Sequence, residues 1–206
     1  MKFYYLLPLA AISITSCHAD FEERDSLNVL TSKSSMEVPV PKTTYIHLIA
    51  PQLVKSYKEY IDLNPVTTLS QKLAALDMVS NQNSSFTAIK PMNYQLISDF
   101  KANQLTGNVD QLYIDLNVSN SVKYYLDNLL LPTTNLSAML TSIDLDKNLT
   151  ADEIKLLSTI VAVFQTELIG NDDDSWRRTM IVGLVMGLKE SNAQATFNIS
   201  WIKIHM

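Results

Sequence analysis

The stretch from residue 150 to residue 168 leaves the chain little conformational choice. Thr150-Ala151-Asp152-Glu153 has the form of a capping box. Its Thr side chain can accept from the N–H three residues on, and its Glu can reach back to the cap. Ile154, Leu157, Val161, Phe164 and Leu168 follow at i, i+3, i+7, i+10 and i+14, the spacing of one buried helix face. Gly170-Asn171 is a stop, because both residues tolerate the left-handed C-cap. Asp172, Asp173 and Asp174 then place carboxylates at the positive end of a second helix. That helix carries Gly183, Gly187, Ser191 and Ala195 at four-residue spacing, a row of small side chains that admits another backbone closely. The expected centre of the core is this helical hairpin, residues 150–195.

The rest of the chain reads as further helices. Ile46, Ile49, Leu53, Tyr57 and Tyr60 recur at three and four residues, with Pro51 either opening that helix or kinking it and Asn64-Pro65 ending it. Leu69, Leu73, Leu76 and Val79 predict a second helix, closed by the polar run 80–85. Met92, Leu96 and Phe100 predict a third, Val109 to Leu116 a short fourth, Val122 to Leu129 a fifth, and residues 136–140 a brief turn. In the last ten residues, Phe197, Ile199 and Trp201 alternate as in a strand, while Phe197, Trp201 and Ile204 suit a helix. Helix is preferred, since a lone strand has no partner. Only 4 Gly in 206 residues argue against a turn-rich β fold. The expectation is an all-α array or bundle of about six to seven helices, forming a single domain over residues 43–206.

The N-terminus speaks to location. Lys2 is a short positive region, and residues 3–14 are apolar but too few to span a bilayer, so residues 1–16 read as a signal peptide. The segment ends Ile14-Thr15-Ser16-Cys17, which resembles the bacterial lipobox, although Ile stands where Leu is commonest. That resemblance implies lipidation of Cys17, the single Cys of the chain. Ordinary cleavage after Ala19 is the alternative. The acidic run from Asp20 to Asp25 is similar to the surface-export signal of Bacteroidota lipoproteins, and equally to a solvated tether. Residues 17–42 are expected to be a flexible acidic and polar tether. Without residues 1–16 the chain keeps 15 basic and 21 acidic residues, a net charge of −6. The whole resembles small helical lipoproteins of the Bacteroidota type, a resemblance that carries no named function. It implies an outer-membrane lipoprotein of the cell envelope, on the outer face if the acidic run is an export signal.

Chemistry-bearing motifs are sparse. Asp144, Asp146 and Asn148 resemble half of a calcium loop, but Leu149 replaces the turn glycine and Lys155 the bidentate Glu. Of the three His, His18 lies in the tether, His205 beside the C-terminus, and only His47 inside the expected domain. No nucleophile elbow, zincin motif or phosphate-binding Gly loop occurs. The run Met180 to Leu188, which contains Gly183 and Gly187, is too short to span a membrane and reads as a close-packing seam. The five Asn-x-Ser/Thr triplets read as incidental. No catalytic residue, metal site or cofactor is assigned. With a net charge of −5 and no basic cluster beyond Arg177-Arg178, nucleic acid is not expected as a partner.

Asp172, Asp173, Asp174, Trp176, Arg177 and Arg178 are the candidate interaction residues, the Arg–Asp neighbours being expected to form exposed ion pairs in the first helical turn. The function expected is a lipid-anchored envelope protein with a helical partner-binding domain. It would touch the membrane through a lipid on Cys17 and bind another envelope protein. The alternatives are a periplasmic immunity or inhibitor protein and a hydrolase using scattered carboxylates. Cys17→Ala should move the protein from the membrane to the soluble fraction. An intact mass showing cleavage after Ala19 and no lipid would refute the anchor.

Overall fold

The computed structural model describes residues 45–167 and 173–205. The expected signal peptide, Cys17, the expected tether, Leu168, Gly170-Asn171 and Asp172 lie outside the described residues. The described chain is all-helical, with α1 (Ile46–Leu63), α2 (Leu69–Gln82), α3 (Ser84–Ile89), α4 (Asp99–Gly107), α5 (Val109–Ile114), α6 (Asn120–Leu129), α7 (Leu136–Leu145), α8 (Ala151–Glu167), α9 (Asp174–Leu188) and α10 (Asn192–His205). These ten helices replace the six to seven expected. Part of the excess comes from short helices inside polar runs. Asn83, within the run expected to close the second helix, accepts from the Phe86 N–H at 2.9 Å and starts α3.

Local signals set many helix boundaries. At α8 the capping box is present, with the Thr150 N–H donating to Glu153 Oε2 at 2.8 Å and the Glu153 N–H to Thr150 Oγ1 at 3.3 Å. Thr68 and Gln71 build a second such box at α2. Helix α1 begins at Ile46 and runs through Pro51, which is exposed on its surface. Because Pro has no N–H, the ladder bond to the His47 carbonyl is missing there.

The centre of the core is not α8 with α9 but α10. Every residue from Ala193 to Ile202 is buried. α9 packs along α10 most extensively, and α1, α4, α3 and α2 cover its other sides. A helix enclosed all round needs no polar face, so its buried polar side chains must find partners inside. Gln194 donates to Asn198 Oδ1 at 3.1 Å, and Thr196 to the Asn192 carbonyl at 2.8 Å. Two further bonds tie α10 to its neighbours: Asn198 donates to the Gly183 carbonyl of α9 at 3.1 Å and the Trp201 indole to the Ala102 carbonyl of α4 at 3.2 Å. The Ser200 hydroxyl donates to the Thr196 carbonyl within α10 at 2.8 Å and lies 3.4 Å from the Ala50 carbonyl of α1. The strand-like alternation of this segment is therefore a helix.

Two further expectations are corrected. The row Gly183, Gly187, Ser191 and Ala195 does not lie on one helix. α9 ends at Leu188, and Ser191 caps α10, accepting from the Gln194 N–H at 3.0 Å. The row instead lines both sides of the α9–α10 crossing. The predicted third helix, expected to run from near Pro91 to just before Gly107, holds only in its second half: residues 90–98 are irregular, α4 starts at Asp99, and Met92, Leu96 and Phe100 face solvent. Ile97, Ala102 and Leu105 are the side chains buried there. Among the described residues no helix is long and apolar enough to cross a membrane.

The crossing makes Gly187 specific. A Cβ on Gly187 would overlap the Cα and N of Ala195, which are backbone atoms that cannot turn away. At Gly183 the obstacle is the Cδ1 end of Ile202, which can. Gly187→Ala should lower the melting temperature, because overpacking of about 1–3 kcal/mol outweighs the gain of about 1 kcal/mol in helix propensity. Gly183→Ala should cost less. Thermal unfolding of both variants checks this, and a Gly187→Ala protein melting at or above the wild type would sink it.

Candidate functional site

The start of α9 distributes the sequence candidates between surface and core. Asp173 is the N-cap, accepting from the Ser175 N–H at 2.9 Å, and Asp174 is exposed beside it. Trp176 turns inward onto Phe164 of α8, with ring centroids 6.1 Å apart. Arg177 is 3% exposed and donates Nη1 to the Leu129 carbonyl at the end of α6, at 3.2 Å. Arg178 stays half-exposed and binds Asp110 of α5 at 2.8 Å. Arg178 thus reaches a partner 68 residues away in the chain. Asp110 raises the guanidinium pKa above its ordinary value through that hydrogen bond, and Asp174 adds to this from a distance.

Arg178 belongs to a charged corner formed by α5, α6 and α9. The buried Tyr113 donates its hydroxyl to Asp127 Oδ1 at 2.7 Å. Lys123 donates to the Tyr113 carbonyl at 2.7 Å, and its ammonium lies 3.4 Å from the Tyr113 ring centroid. Burial, followed by the bond to Asp127, pushes the Tyr113 phenol well above its usual range. Burial pulls Lys123 down, with Asp127 opposing and Arg178 reinforcing. A cavity of about 300 Å³ opens between Asp110, Tyr113, Asp127, Leu130 and Arg178. Tyr113 is a hydrogen-bond donor here rather than a base, and the corner's two cations and two carboxylates are already engaged. No motif joins Asp110, Tyr113, Lys123 and Asp127, which are spread over α5 and α6, so nothing in their spacing marks them as one site.

Other polar groups are similarly committed. Asp146 of the half calcium loop caps α7. Its Oδ1 accepts from the Asn148 backbone and side-chain amides at 2.9 and 3.0 Å, and its Oδ2 from the Tyr125 hydroxyl at 3.1 Å. Among the described residues no group of three or more His, Cys, Asp and Glu is placed to hold a metal ion. A cleft of about 480 Å³ lies between the start of α8 and the α9–α10 turn. Its Glu153 is held below the ordinary carboxylate range by hydrogen bonds from Ser119 and then Thr150, and its Lys189 donates to the Asn117 carbonyl. His47 is half-buried, and its Nδ1 has no hydrogen-bond partner.

A smaller recess, about 230 Å³, shares Asp110 with the charged corner and includes Ser175, Thr179 and His205. His205, beside the C-terminus, has Nδ1 2.9 Å from the Trp201 carbonyl and its ring centroid 3.9 Å from that of Trp201, with the rings tilted by 42°. The chain matches no family model, no curated protein and no solved structure.

The tyrosines predict alkaline sensitivity. Tyr113 has a folded-state pKa raised above its unfolded value. Its contribution to stability is therefore complete below about pH 10, the unfolded phenol pKa, and is lost as pH rises further. The melting temperature should fall on alkalinisation through this range, and Tyr113→Phe should flatten that fall. At neutral pH the variant should lose about 0.5–1.5 kcal/mol with the bond to Asp127. Melting curves across the alkaline range measure both effects; an equally steep fall in the variant would contradict the assignment.

Proposed function

We propose that the chain is a lipid-anchored cell-envelope protein, held in the outer membrane through Cys17, whose helical domain binds another envelope protein. The lipobox-like Ile14-Thr15-Ser16-Cys17 supports the anchor. The observation that carries partner binding is the irregular connection between α3 and α4. Met92 is fully exposed, Phe100 is 70% exposed, and Leu96 lies between them in sequence, also exposed. Beneath them the segment is pinned by Ile97, and by Tyr94 packed edge-on against Phe86 at 5.8 Å. Leaving large apolar side chains in water forgoes the roughly 1.5–3 kcal/mol that burying each would return. Large exposed apolar side chains gathered this closely in sequence are the raw material of an interaction site.

The inhibitor reading rests on charge alone, the net −5 of the chain. The two readings differ in salt dependence, since contacts between exposed charges are screened and apolar ones are not. A photo-crosslinking residue at position 92 or 100 of the full chain, in the native cell, should give one discrete membrane-fraction adduct that survives high salt. The same residue at exposed Lys58 should give none. No adduct at either position would refute partner binding through this segment, and an adduct lost in salt would transfer the case to the inhibitor.

A further inference from the structure

Helix α10 is enclosed by α9, α1, α4, α3 and α2, and each of those helices precedes it in the chain. A ribosome therefore makes the whole wall before it makes the piece that the wall encloses. The contacts reach far back along the sequence. The Trp201 indole bonds the Ala102 carbonyl 99 residues earlier, and the Ser200 hydroxyl lies beside the Ala50 carbonyl, 150 residues earlier. Ile199 and Ile202 lie over Gly183 of α9. Phe197 and Trp201 are among the largest fully buried side chains.

Neither part is sufficient alone. α10 has 14 residues, and an isolated helix of that length is marginal in water. Its buried polar side chains alternate with apolar ones, so it has no single apolar face with which to settle on a surface. The wall without α10 opens onto water the apolar side chains that α10 covers, and it forgoes the main driving force of folding there. We infer that α10 is the closing element of the fold: α1 to α4 and α9 do not settle into their native arrangement until residues 192–202 are present. At roughly 5–20 residues per second of synthesis, the 150 residues from Ala50 to Ser200 keep α1 open for roughly 8–30 s. The use of that delay rests on the lipid-anchor reading: a chain directed to export by residues 1–16 stays threadable until it has been made. The folding order itself stands apart from the anchor, which Cys17→Ala tests separately.

Two measurements on the full chain test the closing role. Native-state hydrogen exchange asks whether α10 can open alone. If the wall needs α10, the amides from Phe197 to Trp201 are released only by the opening that also releases Leu53 of α1 and Leu105 of α4. Protection of α10 should then lie less than about tenfold below that of Leu53 and Leu105. A deficit of about tenfold or more would show a wall that stands without α10, and would overturn the inference. The second measurement follows synthesis. The full chain is held on the ribosome by linkers of increasing length appended after Met206. Chymotrypsin cleavage at Tyr57 and Phe86, both fully buried in the folded chain, is then read by mass spectrometry. Both sites should become resistant together, at the linker length that frees α10 from the exit tunnel. Resistance at either site with α10 still inside the tunnel would equally overturn the inference.

Discussion

The structure depends on the close crossing of α9 and α10 at Gly187 and Ala195. Only three residues join the two helices, so α10 must return directly along α9, and the absent Cβ of Gly187 lets the backbones meet. That return threads α10 through the middle of the bundle. Once α10 is enclosed, every polar atom on it must be satisfied without water, at a cost of about 1–3 kcal/mol for each one that is not. Asn198 and Trp201 meet the requirement by donating to backbone carbonyls of α9 and α4, and Ser200 by donating to the Thr196 carbonyl within α10. The first two bonds also specify register, because a helical slip would move each donor off its carbonyl.

The outer helices have looser demands, and the surface chemistry follows from that. α5, α6 and α9 meet at a corner where charges settle into pairs, Arg178 with Asp110 and Tyr113 with Asp127. The Arg178–Asp110 pair is solvent-exposed and worth about 0–1 kcal/mol. It fixes the position of two side chains more than it stabilises the fold. Arg177 differs, being drawn into the interior towards Leu129 by the same helical turn that buries Trp176. Between α3 and α4 the chain is irregular. Its apolar side chains divide between a few that pin it and several that face solvent.

Some of this was legible in the residues. Helix starts were, because capping is local: Thr150 and Glu153, three residues apart, meet as their spacing implies. All-α character was too, since the i, i+3, i+7 stripe of α8 needs only one packed neighbour to make sense, and Leu157, Val161 and Phe164 are buried. The Met92, Leu96, Phe100 stripe had the same period and failed. Nothing in a period says whether a neighbouring helix arrives to cover it.

What the sequence by itself determined was local: the caps, the helical class, and the need for something small at Gly187. What only the tertiary structure decided was which helix lies at the centre and which side chains share a site. α10 looked indeterminate because amphipathic periodicity records a boundary between core and water, and a helix with no such boundary leaves no period to read. The partners Asp110, Tyr113, Asp127 and Arg178 were invisible for a related reason. Hydrogen bonds and ion pairs act over about 3 Å, while Asp110 and Arg178 lie 68 positions apart. Only the packing of the helices brings that separation to zero.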